Sequence, residues 1–200
     1  MKHLLTFVLI FLSPFLVQSQ ENHIDSISKR GIKTILEENP YMDLRHRAFS
    51  SKPTDLRLDI PADKVVVYGV VMDWNVGKTV ATIVAFMTGE ASFYLKSGQI
   101  FIGGSEYKTI KDAAIDFVNS AQQHIKNAEI ATDNSLPDKD CVKFYLLPNV
   151  GIFVHQETVQ NIEGNKTEWT ILFHKGDQII TQYRLVVKRI NNLVLSQQTN

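Results

Sequence analysis

The chain has 200 residues, of which 44% are hydrophobic and 21% are charged, so it can bury one ordinary core but not two. Lys plus Arg number 21 and Asp plus Glu number 21, which gives a formal net charge of zero. Because affinity for DNA and RNA comes largely from neutralised phosphates, this balance removes the electrostatic reason to expect a nucleic-acid partner. We therefore expect one domain that binds no nucleic acid.

The first 19 residues have the pattern of a secretory signal peptide. Lys2 and His3 form a short positive region, and an apolar run over residues 4–17 ends shortly before Ser19. A helix over this run would span roughly 21 Å at 1.5 Å per residue, short of the ~30 Å hydrocarbon core of a membrane. The pattern predicts cleavage after Ser19, with an uncleaved anchor as the alternative. We expect an exported protein, periplasmic or extracellular, with no transmembrane segment in the mature chain.

Residues 20–63 are predicted to form a helical segment and a linker. Apolar residues recur at helical spacing between residues 24 and 36, and Pro40 ends the run. Residues 42–49 indicate a second short helix, in which Arg45, His46 and Arg47 are expected to form a solvated basic face. Residues 50–63 contain two prolines and are expected to connect these helices to the first strand.

The first two predicted strands are apolar on both faces. In residues 64–72 and in residues 80–87, apolar side chains occupy odd and even positions alike. An antiparallel strand with one face in water should instead alternate apolar and polar residues. Both faces of the central sheet must therefore be covered, either by the chain's own helices or by these helices on one face and a partner protein on the other.

Short turns at residues 75–77 and 88–89 predict a meander of adjacent strands. The third strand, residues 91–96, alternates better and should lie nearer an edge, and a fourth short strand follows at residues 99–102. The clearest helix begins with Ser105 as its N-cap and continues to residue 125 with an apolar stripe. Residues 128–140 indicate a long polar loop, and residues 141–156 indicate a second hairpin.

Residues 167–190 fit either a helix or a hairpin that turns at Gly176. A glycine inside a helix costs about 1 kcal/mol relative to alanine, yet the sheet needs another cover, so we favour the helix. The expected fold is α+β, with an antiparallel meander sheet of about five strands and helices packed on it. The domain is expected over residues 64–190, followed by a C-terminal tail at 191–200.

Three features that suggest chemistry have plainer explanations. Gly77-Lys78-Thr79 ends like a phosphate-binding loop, but Met72 stands where that loop needs a glycine, and a strand follows rather than a helix. The six histidines are scattered without metal-ligand spacing. Cys141 opens an apolar run, where an inert buried thiol is expected. We predict no metal, no cofactor and no catalytic residue.

The best candidates for ligand binding lie at three predicted turns. Asp73 ends the first predicted strand, with a turn-forming role as the alternative. Ser97 lies in the turn before the fourth strand. Gly103, Gly104 and Ser105 open the clearest helix, where free amides can bind an anion or a carboxylate, and plain capping is the alternative.

The central stretch resembles a family of small uncharacterised bacterial α+β proteins. The resemblance rests on the order G-V-V-M-D-W, A-T at residues 81–82, G-x-A-S-x-Y at 89–94, S-G and I-G-G before a helix. It covers roughly residues 42–189 and favours a helix for the last segment. The family implies no activity, cofactor, partner or site residue. The predicted plan is also loosely similar to profilin and roadblock-type modules, which bind proteins; this is a likeness of fold alone.

From these observations we expect an exported, non-catalytic binding module that acts on a protein partner or forms a homodimer. An envelope hydrolase or transferase with a polar site at Asp73, Ser97 and residues 103–105 is the first alternative. An immunity-type inhibitor in the periplasm, which blocks one toxin, is the second. A pocket where those turns converge would favour the enzyme, whereas an uncovered apolar sheet face would favour protein binding.

Overall fold

The computed structural model of the chain describes residues 40–198, with side chains to residue 192. The predicted signal peptide and the predicted helix before Pro40 lie outside these residues. The elements in chain order are α1 (Tyr41–Ser50), β1 (Val67–Asn75), β2 (Val80–Phe86), β3 (Ala91–Leu95), β4 (Ile100–Phe101), α2 (Lys108–Ala121), β5 (Glu129–Ile130), β6 (Cys141–Pro148), β7 (Phe153–Thr158), α3 (Val159–Glu163) and α4 (Trp169–Gln198). A 3₁₀-turn, Gly104–Glu106, precedes α2, and another, Gln122–Asn127, follows it.

The strands form one antiparallel sheet in the order β4-β3-β2-β1-β6-β7-β5. This confirms the α+β class, the meander of β1 to β4 and the position of β3 near an edge. The expectation of about five strands is wrong, because the described part of the chain contains seven. The sequence pattern misses β5, a strand of two residues inside the predicted polar loop, since so short a strand has no periodicity to detect.

Both faces of the sheet are covered by the chain itself, as the non-alternating strands required. On one face α2 and α4 pack against β1 and β6, where Trp74 meets Phe173 edge-on at 5.1 Å and Phe144 lies 5.3 Å from Trp169. Every residue of β2 is buried, as is every residue of β1 except the last. The two central strands are thus apolar throughout because neither face meets water.

The opposite face, which we call the α1 face, is covered by irregular chain as well as by α1. Its buried core includes Tyr41 and Ala48 of α1 together with residues from the four strands β1, β2, β3 and β6. Leu56, Leu58 and Leu136 pack against it from the connecting segments. The predicted linker before β1 and the predicted loop after β5 therefore act as cover for the sheet. No partner protein is needed to shield this face from water.

The last segment is a helix, which confirms the favoured alternative. The helix α4 extends to Gln198, past the expected boundary at residue 190. Gly176 is buried where α4 crosses the sheet, and a Cβ placed on it would lie 2.6 Å from Cε of Met72 and 3.3 Å from Cζ of Phe117. The glycine that weakened the helical pattern in the sequence is thus what allows the helix to approach β1 closely.

Within residues 40–198, no helix combines the length and the apolar character that crossing a membrane requires.

Candidate functional site

An open groove of about 600 Å³ lies where β1 begins and α2 ends. Its surface is mostly aliphatic, and among the described residues that line it Lys64 alone carries a charge. Val65 is 48% exposed at this position, whereas Val118 on the α2 side is buried. The lining residues are Lys64, Val65, Val66, Val67, Met87, Val118, Asn119 and Gln122.

Two side-chain amides fix the backbone that forms one wall of this groove. Gln122 accepts a hydrogen bond from the Val67 N–H at 2.8 Å and donates one to the Val65 carbonyl at 3.2 Å. From the β6–β7 turn, Asn149 accepts a hydrogen bond from the Val66 N–H at 3.0 Å and donates to the carbonyl two residues earlier at 2.9 Å. The groove is therefore preformed, which lowers the conformational cost of filling it.

The apolar run in the sequence predicted that β1 begins at residue 64, but the strand begins at Val67. The hydrogen bonds from Gln122 and Asn149 explain this difference. The neighbouring strand β2 ends at Phe86, and the pairing of Gly69 with Phe86 is the last one on that side. Backbone groups before that point need other partners, because a buried amide without one is costly. The side chains of Gln122 and Asn149 supply them.

A buried polar network lies on the α1 face. Arg45 donates from Nε and Nη2 to Oδ2 of Asp73 at 2.9 and 2.6 Å. Thr82 on β2 donates to Oδ1 of the same carboxylate at 2.5 Å, and its hydroxyl also pairs with the Tyr41 hydroxyl at 2.7 Å. The side chains of Arg45 and Asp73 are 1% and 0% exposed. This ion pair is therefore internal, and both charges are held away from water.

Arg45 also ties the long polar loop to the sheet. Its Nη1 donates to the Asn134 carbonyl at 2.5 Å, and its guanidinium lies 4.7 Å from the centre of the Phe49 ring. The Tyr145 hydroxyl donates to the Ser135 carbonyl at 2.6 Å from β6. One side chain of α1 thus joins α1, β1 and the loop, which corrects the prediction that Arg45 belongs to a solvated basic face. His46 and Arg47 are exposed as that prediction has it.

The electrostatics of this pair follow from burial and from the partner charge. Burial raises the pKa of Asp73, while the charge and hydrogen bonds of Arg45 and the hydrogen bond of Thr82 oppose that change. For Arg45, burial acts to lower the pKa, but the attraction and hydrogen bonding of Asp73 outweigh it and the pKa is raised. Two guanidinium nitrogens of Arg45 donate to the same carboxylate oxygen of Asp73. We therefore assign a structural role to this ion pair.

The predicted site residues do not converge. Asp73 lies inside β1 and not in a turn, and its carboxylate is fully buried under α1. Ser97 is exposed in the β3–β4 turn, where its N–H bonds the Thr79 hydroxyl at 3.1 Å. Gly103 lies beyond the other end of β3, because β4 runs antiparallel to it. The five residues of β3 span roughly 13 Å at ~3.3 Å each, so the two turns are well separated.

The start of the α2 region differs from the predicted capped helix. Ser105 lies in the 3₁₀-turn, and the residue that caps α2 is Tyr107, which makes no side-chain capping bond. Gly103 has a φ of 79°, and Gly104 is buried where a Cβ would lie 2.5 Å from the Tyr183 hydroxyl. Both glycines are thus explained by backbone geometry and close packing.

Two further kinds of site considered from the sequence were a reactive cysteine and a metal centre. The Cys141 thiol is buried, and burial raises its pKa, which disfavours the reactive thiolate. Across residues 40–198 there is no group of three or more His, Cys, Asp or Glu side chains placed to hold a metal ion.

Sequence reasoning missed Gln122, Asn149 and Arg45. Gln122 falls on the polar side of the α2 pattern and Asn149 in a turn, where such residues usually face water. A signal for Arg45 existed in part, because the apolar strand containing Asp73 has no other charge and a buried carboxylate needs a partner. The sequence does not say which of the neighbouring cations supplies it.

Comparisons with protein-family models, curated proteins and solved structures found no significant match for this chain.

Proposed function

We propose that this chain is an exported, non-catalytic interaction module that binds a partner protein through the groove between β1 and α2. The observation that carries the proposal is the preformed aliphatic groove, whose wall is held by hydrogen bonds from the side-chain amides of Gln122 and Asn149. A concave apolar surface with a few fixed polar groups is the usual form of a binding site. A surface that is already ordered loses little conformational freedom on binding.

The chemistry of the groove favours one kind of occupant. Val65 and Met87 offer accessible aliphatic surface for an aliphatic side chain of the partner. Lys64 forms no ion pair with any residue in the described part of the chain, so its ammonium is available to a carboxylate beside that side chain. We therefore expect a partner segment that carries an aliphatic residue next to an acidic one.

The sheet faces support this choice by exclusion. The apolar faces that suggested an interaction module are covered by the chain's own helices and loops, so neither is open to a partner. Binding of a partner at the groove does not require the buried core to open. The loose likeness to profilin and roadblock-type modules stays a prediction about fold.

The enzyme alternative is not proposed, because Asp73, Ser97 and Gly103 lie apart and the Asp73 carboxylate is occupied by Arg45. An immunity-type inhibitor would be one form of the proposed module. Co-purification with a single toxin, together with protection of cells from it, would identify that form.

Export is the remaining part of the proposal and rests on the N-terminal sequence. If residues 1–19 are a signal peptide, intact-mass spectrometry of the protein from its natural cells should show a chain that begins at Gln20. A mature protein that retains Met1 would contradict cleavage.

The groove is tested with two matched valine variants. Val65 is 48% exposed in the groove and Val150 is 47% exposed in the β6–β7 turn, so Val65→Glu and Val150→Glu make the same change at the same exposure. We expect wild type and Val150→Glu to retain the same partner from an extract of the natural cells. Val65→Glu should lose at least about tenfold of it, since a carboxylate would be buried in aliphatic surroundings.

Three outcomes would contradict the proposal. Equal retention by the two variants would place binding elsewhere. Loss by both would show that added negative charge, and not the groove, matters. A doubled solution mass for wild type that Val65→Glu returns to the monomer would mean that the groove binds a second copy of this chain and not another protein.

A further inference from the structure

The ring of Trp169, the first residue of α4, contacts two histidine side chains. His155 of β7 stacks on it with ring centres 4.2 Å apart and planes within 8°. His124, from the 3₁₀-turn after α2, lies 4.8 Å away at 35°. Trp169 is itself buried. Three elements that are distant in sequence therefore meet through this stack.

Three of the four histidine ring nitrogens in the stack are buried without a hydrogen-bond partner among the described residues. Both ring nitrogens of His124 are buried without a partner, and so is Nε2 of His155. Oε2 of Glu157 lies 3.7 Å from that nitrogen, which is too long for a hydrogen bond but within reach of an ion pair if His155 is protonated. Burial without an acceptor favours the neutral imidazole at His124, because a buried positive charge with no acceptor is costly.

We propose that His124, Trp169 and His155 form an acid-sensitive latch, which holds the start of α4 against β7 at neutral pH and releases it when the imidazoles take up protons. Two imidazolium rings in contact with one indole would repel each other, and a protonated His124 would have no acceptor for either of its N–H groups. Opening the stack brings both to water. The response needs no ligand or partner.

The charged groups around the stack set the size of the effect. Glu157 on β7, Glu168 immediately before α4 and Glu129 on β5 face His155, and Glu168 also faces His124. These carboxylates favour protonation. Oε1 of Glu157 accepts hydrogen bonds from Asn161 and from the Thr158 N–H, whereas Oε2 is the oxygen that lies near His155. Glu168 accepts one from Asn127. Each acid is thus held in place by other elements.

The sign of the pH dependence follows from burial. Burial lowers the pKa of His124 and of His155 below that of an exposed histidine, which is about 6.5. The unfolded chain therefore binds more protons than the folded one as the pH falls below about 6.5. The stability that the stack contributes is complete above that pH and is lost on acidification.

The latch is tested by following Trp169 fluorescence and the melting temperature between pH 8 and pH 5 in full-length protein. Trp74→Phe removes the other tryptophan, so emission reports Trp169 alone. We expect a reversible red shift of emission below about pH 6.5 and a parallel fall in Tm. The double variant His124→Phe/His155→Phe, in the same background, should keep its emission unchanged over this range.

Two further variants keep the test decisive if that double variant folds poorly. His174→Gln changes an exposed histidine on the same helix and should leave the acid response intact. Glu168→Gln removes a charge that favours imidazolium in the folded state, so its Tm should fall more on acidification than that of wild type. An acid response that persists without His124 and His155, that disappears with His174→Gln, or that shrinks with Glu168→Gln would overturn the latch.

Discussion

Replacing Arg45 with alanine is expected to lower the free energy of unfolding by about 3–5 kcal/mol, because the change leaves the Asp73 carboxylate buried without its partner. The loss also removes the donor to the Asn134 carbonyl, so the polar loop loses one of its ties to the sheet. Urea unfolding followed by circular dichroism measures the effect. It should be large relative to the total stability of a domain of this size.

The neighbouring Arg47 supplies the matched control. It lies on the same helix but is exposed, so Arg47→Ala should change the free energy of unfolding by no more than about 0.5 kcal/mol. In a double-mutant cycle, Arg45→Ala and Asp73→Ala should together cost less than the sum of their separate effects, since neither charge is then left alone. Equal effects of Arg45→Ala and Arg47→Ala would show that the ion pair is not part of the folded protein.

Replacing Gly176 with valine is expected to lower the free energy of unfolding by about 1–3 kcal/mol through overpacking. A Cβ alone would lie 2.6 Å from Cε of Met72, and a branched side chain would also meet Phe117. Gly176→Ala should cost much less, because the flexible end of Met72 can shift and alanine gains about 1 kcal/mol of helix propensity. Thermal unfolding of the two variants gives the comparison.

Valine at an exposed position of the same helix separates packing from propensity. Gln178 lies two residues away and is exposed, so Gln178→Val should change stability only by the small difference in helix propensity. If Gly176→Val proved as mild as Gln178→Val, α4 would not lie as close to β1 as the structure has it.

The sequence predicts the parts of this fold that depend on repeated patterns. Apolar side chains occupy odd and even positions alike in residues 64–72 and 80–87, which requires a sheet covered on both faces, and the structure covers both. The stripe on α2 gives the helix directly. These elements can be predicted because many residues follow the same pattern, so a single exception does not change the prediction.

The features that the sequence does not predict each depend on one contact between distant residues. Gly176 weakens a helical pattern unless Met72 is known to lie beneath it. Arg45 looks solvated beside His46 and Arg47 unless α1 is known to cover Asp73. The groove is harder still, because Gln122 and Asn149 act on a strand end that no local pattern defines. Contacts between residues that are distant in the sequence produce no periodic pattern in it.

The proposed module keeps its sheet covered and binds a partner protein through the groove. Hydrogen–deuterium exchange of wild-type protein, with and without the partner that it captures, tests this directly. We predict slower exchange on binding in residues 64–67 and 119–122, with α1 unchanged. Slower exchange in α1 and none at the groove would contradict the account, because it would mean that the partner engages the α1 face.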